Sequence, residues 1–270
     1  MKPRHEMDEE SHWDLVTGDW IKKHRHTLWR IYSDTIHKAL LLRWLTPSPV
    51  ENALKTDLFD EAVSEGLYPP LQSMSKNVFG IDISSVSVAE VAARYPSFQV
   101  KVADVRSLPF AEAFFDAVVS NSTLDHFKSH GDIGTSLREI YRVLRPGGCL
   151  LLTLDNLANP AIRLRNALPF ALLKALRVVP YFVGATFTPG GLKKALESQG
   201  FKIEAMGAVM HYPRILAVAG ASIFQKCAGE KARKRYVDFL MSFEKLSSLP
   251  SRYLTGYFIA VKAVKVRGKS

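Results

Sequence analysis

Between residues 54 and 155 the chain alternates short, β-branched apolar runs with amphipathic helical patterns. This alternation constrains the fold more than any other feature of the sequence. Strands are read at about 55–60, 77–82, 98–103, 116–121 and 148–155, and helices at about 66–74, 85–94 and 132–144. The runs are apolar on successive positions, as in strands covered on both faces. The reading is therefore an α/β fold, a parallel sheet with right-handed crossovers and helices on both sides.

The flanks read differently. Residues 1–18 are polar and mixed in charge, and are expected to be disordered or loosely attached. A helical cap is expected over 19–50, with Trp20, Leu28, Trp29, Tyr32 and Ile36 at helical spacing and Thr46-Pro47-Ser48-Pro49 as its stop. After Leu154 the alternation breaks. An apolar, basic insertion fills about 158–187 and a second helical insertion fills about 210–250, with a helix from Thr188 to Gln199 and a strand at Phe201–Val209 between them. Tyr253–Val264 reads as a closing strand. No linker separates these parts, so residues 51–270 read as one domain.

The formal net charge is +10, unevenly distributed: −1 over residues 1–60, −3 over 61–160 and +14 over 161–270. That asymmetry calls for an anionic partner, a membrane surface or an anionic substrate. Cys149 and Cys227 are the only cysteines, and no CxxC or HExxH pattern occurs, so no metal site is expected. The first residues do not form a secretory signal, and no apolar run reaches the ~20 residues that span a bilayer. A reducing cytoplasm fits. The basic amphipathic segments at 160–178 and 213–235 offer peripheral contact with an anionic inner-membrane surface.

Open α/β sheets bind ligands beyond the carboxyl ends of their strands. Asp60-Glu61-Ala62-Val63-Ser64-Glu65-Gly66 follows the first strand and places small residues where backbone amides could approach a ligand. Asp82 ends the second strand, where a carboxylate can accept from a ribose diol or cap the next helix. Asp104 and Val105 follow the third strand, and Asn121-Ser122-Thr123-Leu124-Asp125-His126 follows the fourth. Arg145-Pro146-Gly147-Gly148 then turns a helix into the fifth strand.

Leu108-Pro109-Phe110, followed by FDAVVSN and then REIYRVLRPGG, resembles the class I S-adenosylmethionine-dependent methyltransferases, in the type 11-like branch. The likeness covers about 54–155, and 188–209 less fully. It implies a Rossmann-like seven-stranded sheet with S-adenosylmethionine as cofactor. It also implies that Asp60, Ala62, Ser64 and Gly66 hold the methionine part, that Asp82 binds the ribose hydroxyls, that Ile83 also contacts the cofactor, that Asp104 and Val105 bind the adenine, and that Asn121 lies near the sulfonium. The departure is in the first loop, where Ala62 and Ser64 stand at two of three expected glycines.

His126 and Asp125 are the candidates for a general base, with His211 and Tyr212 next. The insertion at 158–187, with Leu164, Leu168, Phe170, Leu172, Tyr181 and Phe182, reads as an apolar lid over the acceptor. A small or lipid-like, largely apolar acceptor is therefore expected, with nucleic acid disfavoured because Asn121-Ser122-Thr123-Leu124 is not the motif of base methylation. Two other classes stay open: an RNA methyltransferase using Lys231, Arg233, Lys234 and Arg235, and a non-catalytic binding protein built on the same fold.

Overall fold

A computed structural model describes residues 8–23, 27–45, 50–175, 179 and 183–266. The expected helix stop at 46–49 and the lid residues Tyr181 and Phe182 lie outside the described residues. The chain runs α1 (Glu9–Lys23), α2 (Leu28–Leu45), β1 (Val50–Lys55), α3 (Phe59–Val63), α4 (Tyr68–Met74), β2 (Ser75–Asp82), α5 (Ser85–Arg94), β3 (Gln99–Val102), β4 (Phe115–Asn121), a 3-10 turn (Leu124–His126), α6 (His130–Val143) and β5 (Leu144–Asp155). It continues with α7 (Pro160–Ala167), α8 (Phe170–Ala175), α9 (Pro189–Ser198), β6 (Phe201–Val209), α10 (Arg214–Cys227), α11 (Glu230–Ser242), a 3-10 turn (Phe243–Ser248), α12 (Arg252–Thr255) and β7 (Phe258–Lys265).

The seven strands form one sheet in the order β3-β2-β1-β4-β5-β7-β6. All neighbours are parallel except β7, which runs antiparallel to both β5 and β6. Strand order reverses between β1 and β4, so their carboxyl ends open a crevice where this architecture binds ligands. One face of the sheet packs on α6 and α9 through Leu54, Val118, Leu137, Ile140, Leu192 and Leu196. The other packs through Ala53, Leu71, Val91, Val119 and Leu151. The expected sheet is present. α7 and α8 fall within residues 158–187, and α10 and α11 within 210–250.

The N-terminal region departs from expectation. A helix runs from Glu9, where disorder was expected through residue 18. Its polar sequence hides a specific docking. The Asp14 carboxylate accepts from Ser84 Oγ (2.6 Å), Ser85 Oγ (3.0 Å) and the Val86 amide (3.1 Å), satisfying an open amide in the first turn of α5. Those bonds hold the Asp14 carboxyl below its ordinary value, against the opposing effect of burial. Thr17 Oγ1 bonds Ser87 Oγ at 3.0 Å and Trp20 sets its ring edge-on to Phe59. α1 thereby lies across the carboxyl end of the sheet.

Helix α2 is buried on two faces. Leu28, Trp29, Tyr32 and Ile36 pack with Ala217 and Ala221 of α10 and Tyr236 and Leu240 of α11. Arg30, Ser33, Asp34 and His37, at i, i+3, i+4 and i+7, form a second, polar buried face.

Candidate active site

The first strand ends earlier than its sequence indicated. β1 is Val50–Lys55, not 55–60, because Glu51 and Asn52 are held in the strand by side-chain bonds. Both of their amides donate to Asp116 Oδ2, and Asn52 Nδ2 donates to the Phe114 carbonyl. The turn that meets the ligand crevice is therefore Thr56-Asp57-Leu58, and it contains no glycine.

With β1 ending at Lys55, three expected cofactor residues fall beyond the turn. Ala62 lies in the core, Ser64 Oγ bonds the Asp60 carbonyl (2.9 Å), and Gly66 closes the turn after α3. None of the three lines the cavity at the sheet's carboxyl end. Gly66 is needed for a local reason: its φ is +60° and a Cβ there would stand 2.4 Å from Glu61 Oε1.

A buried ion cluster replaces the glycine turn. Lys55 is fully buried, and its ammonium meets the Asp57 carbonyl (2.8 Å), Asp57 Oδ1 (2.8 Å) and Glu61 Oε2 (3.0 Å). Glu61 Oε1 accepts from the Leu67 amide at 2.7 Å. Burial alone would lower the Lys55 pKa, but Asp57, Glu61 and Asp60 reverse this and hold it above its ordinary value. Burial, with Asp57 and Asp60 nearby, pushes Glu61 up to about 7.

The cavity beyond this turn has a volume of about 360 Å³, within the range of small-molecule sites. Asp57, Asp60, Asp82, Ile83, Asp104, Val105 and Asn121 line it, so every other expected cofactor residue reaches it. Asp82 accepts from the Leu58 and Ser84 amides, both at 2.8 Å, one on each carboxylate oxygen. Each oxygen retains a lone pair for a hydroxyl. Burial pushes Asp82 up to about 6 despite those two bonds. Asp104 is clamped by Arg106, whose Nε lies 2.9 and 3.0 Å from the two carboxylate oxygens and whose Nη2 reaches Glu9 of α1 at 2.5 Å. Helix α1 contributes Glu9, His12 and Trp13 to the wall.

At the other end of the cavity stands the polar face of α2. Asp60 pairs with Arg30 and accepts from Asn121 Nδ2 at 2.9 Å. Burial would raise the Asp60 carboxyl, but Arg30 and Lys55 overcome it and hold it at about 2. His37 is 4% exposed and lines the cavity. Its Nδ1 faces Ser33 Oγ at 3.4 Å, and its Nε2 has no hydrogen-bond partner among the described residues. Burial lowers its pKa to about 4, so the imidazole is neutral at pH 7. The sequence reading missed His37. Its signal was the polar stripe Arg30, Ser33, Asp34, His37 on an otherwise apolar helix.

The two residues expected to be catalytic separate. His126 lines the cavity, its ring edge-on to Trp13 at 4.8 Å. Asp125 does not line it: the carboxylate is buried, accepting from Ser122 Oγ (3.0 Å) and the Asp155 amide (2.9 Å). Burial and the Asp155 carboxylate push Asp125 up to about 6. It anchors the loop in which Ser122 takes a left-handed φ of 52°. His211 is locked by Thr255 Oγ1 (2.8 Å) and the Ala208 carbonyl (3.1 Å), outside the cavity. Phe170 of the apolar insertion does reach the cavity, together with Trp29, Phe258 and Arg214. Arg214 lies over Trp29 at 5.5 Å and bonds the Tyr257 hydroxyl at 2.9 Å.

The adenosine half of S-adenosylmethionine fits these walls: carboxylate oxygens for its hydroxyls at Asp82 and apolar surface at Ile83 and Val105. Arg30, Asp57 and Asp60 line the opposite part of the cavity, beside the glycine-free turn, and would meet the cofactor's carboxylate and ammonium there.

Residues 63–152 match the methyltransferase-domain family. A probable S-adenosylmethionine-dependent methyltransferase of Mycolicibacterium smegmatis is 27% identical over 156 residues, 57% of this chain and 55% of the relative. The demethylmenaquinone methyltransferase of Chlorobaculum parvum is 29% identical over 104 residues, 37% of this chain and 41% of the relative. The chain thus spans about half the length of these relatives. Among solved structures, the [4+2]-cyclase SpnF superposes with a TM-score of 0.60 at 18% identity, covering 96% of this chain and 95% of its own. S-adenosylmethionine is the cofactor that these relationships support. In sequence over residues 63–152, and in fold over the whole sheet, the protein resembles the class I S-adenosylmethionine-dependent methyltransferases.

Proposed function

We propose that the protein transfers a methyl group from S-adenosylmethionine to a hydroxyl on a small or lipid-like, largely apolar acceptor that also carries an anionic group. One observation carries this reading. A single cavity joins a carboxylate wall (Asp57, Asp60, Asp82, Asp104) to an aromatic wall (Trp29, Phe170, Phe258) bearing Arg214, with the buried His37 ring 5.9 Å from Phe258. The name of the Chlorobaculum relative, demethylmenaquinone methyltransferase, agrees with an apolar acceptor.

The bound cofactor supplies an electrophilic methyl group on a sulfonium sulfur. Asp57 and Asp60 favour that positive charge, and Asp82 fixes the ribose. The aromatic wall excludes water and aligns the acceptor for in-line attack, with Arg214 holding its anionic group. A hydroxyl that takes a methyl group becomes strongly acidic. His37 Nε2, neutral and without a partner among the described residues, receives that proton.

The test is release of S-adenosylhomocysteine by the purified protein with phenol, quinol and hydroxylated apolar-acid acceptors. Turnover with at least one class, lost in His37→Gln, supports the reading. No turnover with any of them, while the cofactor is bound, refutes it. A second reading, a binding protein that does not transfer methyl groups, is favoured by the glycine-free turn and its Lys55–Asp57–Glu61 cluster. Cofactor binding without turnover on any acceptor decides for it.

A further inference from the structure

Helix α10 is apolar on two opposite faces. Ala217, Gly220, Ala221 and Phe224 face inward at i, i+3, i+4 and i+7: Ala217 and Ala221 are buried, and Phe224 stacks on Tyr236 at 4.6 Å. A Cβ at Gly220 would stand 2.3 Å from the Tyr236 hydroxyl, so the two helices are in close contact. On the outward face, Ile215, Leu216, Val218 and Ile223 are 66%, 57%, 42% and 63% exposed. A helix apolar all round is normally enclosed, and soluble surfaces do not gather large aliphatic side chains in one stripe without a use.

The stripe begins one residue after Arg214, which lines the cavity. α7 reaches the same place, because Arg165 and Arg214 both donate to the Tyr257 hydroxyl, at 2.7 and 2.9 Å. Leu164 on α7 and Leu172 on α8 are also exposed, at 64% and 44%.

Charge selects the occupant. Residues 157–196 contain no Asp or Glu, and residues 214–242 contain six Lys and Arg against Glu230 and Asp238. Lys226 continues the stripe at its carboxyl end, and Lys231, Lys234 and Arg235 are exposed on α11. A second copy of the chain would set these cations against themselves in a two-fold contact. A nucleic acid would use the cations but not the isoleucines. Anionic lipid uses both: acyl chains for the stripe and headgroups for the lysines.

We propose that the outward face of α10, with the exposed leucines of α7 and α8, docks the protein on an anionic bilayer surface beside the mouth of the cavity. The proposal does not depend on methyl transfer, because vesicle binding is read without cofactor or acceptor.

The full-length protein is sedimented with vesicles of phosphatidylcholine alone and of phosphatidylcholine mixed with phosphatidylglycerol. Retention on the mixed vesicles, weak retention on neutral ones, and weakening by salt are expected. Ile215→Ser and Ile223→Ser should each lower the partition coefficient by about tenfold. Lys226→Glu should lower binding to mixed vesicles only. Unchanged thermal midpoints show that these exposed substitutions leave the fold intact. No retention on the mixed vesicles overturns the proposal, as does retention that both isoleucine variants preserve. A stable dimer in sedimentation velocity that Ile223→Asp dissolves assigns the stripe to self-association and also overturns it.

Discussion

Replacing Lys55 with methionine probes what stands in for the glycine turn. The side chain is fully buried, and its ammonium is shared between Asp57 and Glu61 at 2.8 and 3.0 Å. Methionine fills the volume but leaves two carboxylates facing each other without a cation. Breaking a buried pair in this way costs about 3–5 kcal/mol. In a chain of this size that lowers the melting midpoint by roughly 10 °C. The loss has a pH signature. Glu61 titrates near 7 in the folded protein, above its ordinary value, and losing Lys55 raises it further. A carboxyl whose folded pKa is raised stabilises the fold at low pH, and that stability is lost as pH rises through the folded value. Lys55→Met should therefore regain stability as pH falls below 7, more than the parent protein does. Adding Glu61→Gln should recover most of the loss at neutral pH. Thermal and urea unfolding followed by circular dichroism read all three proteins. A Lys55→Met melt within about 1 kcal/mol of the parent, or one with the parent's pH dependence, would refute the reasoning.

Three further outcomes follow from the same geometry. His37→Gln should lower kcat by about a hundredfold or more while leaving cofactor affinity within about twofold, which separates a proton acceptor from a cofactor ligand. Gly184→Ala should destabilise the protein by several kcal/mol, on the order of an overpacked core site, because the added Cβ would stand 2.1 Å from the Phe127 carbonyl oxygen; chemical denaturation reads it. Asp14→Ala should free the start of α5 and weaken the docking of α1 by about 1–2 kcal/mol, seen as faster amide exchange over residues 9–23 with slower exchange kept in the sheet.

The sheet was legible because its central strands are short, apolar runs between helical repeats, and the strand ends at Asp82 and Asn121, with Asp104 just past β3, followed from that period. β1 was misplaced by five residues because Val50-Glu51-Asn52 does not read as a buried strand until Asp116 supplies its bonds. That shift carried Ala62, Ser64 and Gly66 out of the site. α1 was unread because its stability is tertiary: one carboxylate on three donors of α5, which no local pattern announces. His37 was overlooked because a periodicity test scores apolar positions, and a polar face turned inward looks like an exposed one until a cavity is found against it.

If Asp82 holds the cofactor ribose at the carboxyl end of β2, calorimetric titration with S-adenosylhomocysteine reads it. One site per chain is expected. Asp82→Asn should weaken it about ten- to a hundredfold, the worth of hydrogen bonds to a charged acceptor. The Asp82 carboxyl titrates near 6, so affinity in the parent protein should fall as pH drops below that value. Absence of binding heat in the parent, or equal affinity in a folded Asp82→Asn variant, would contradict the account.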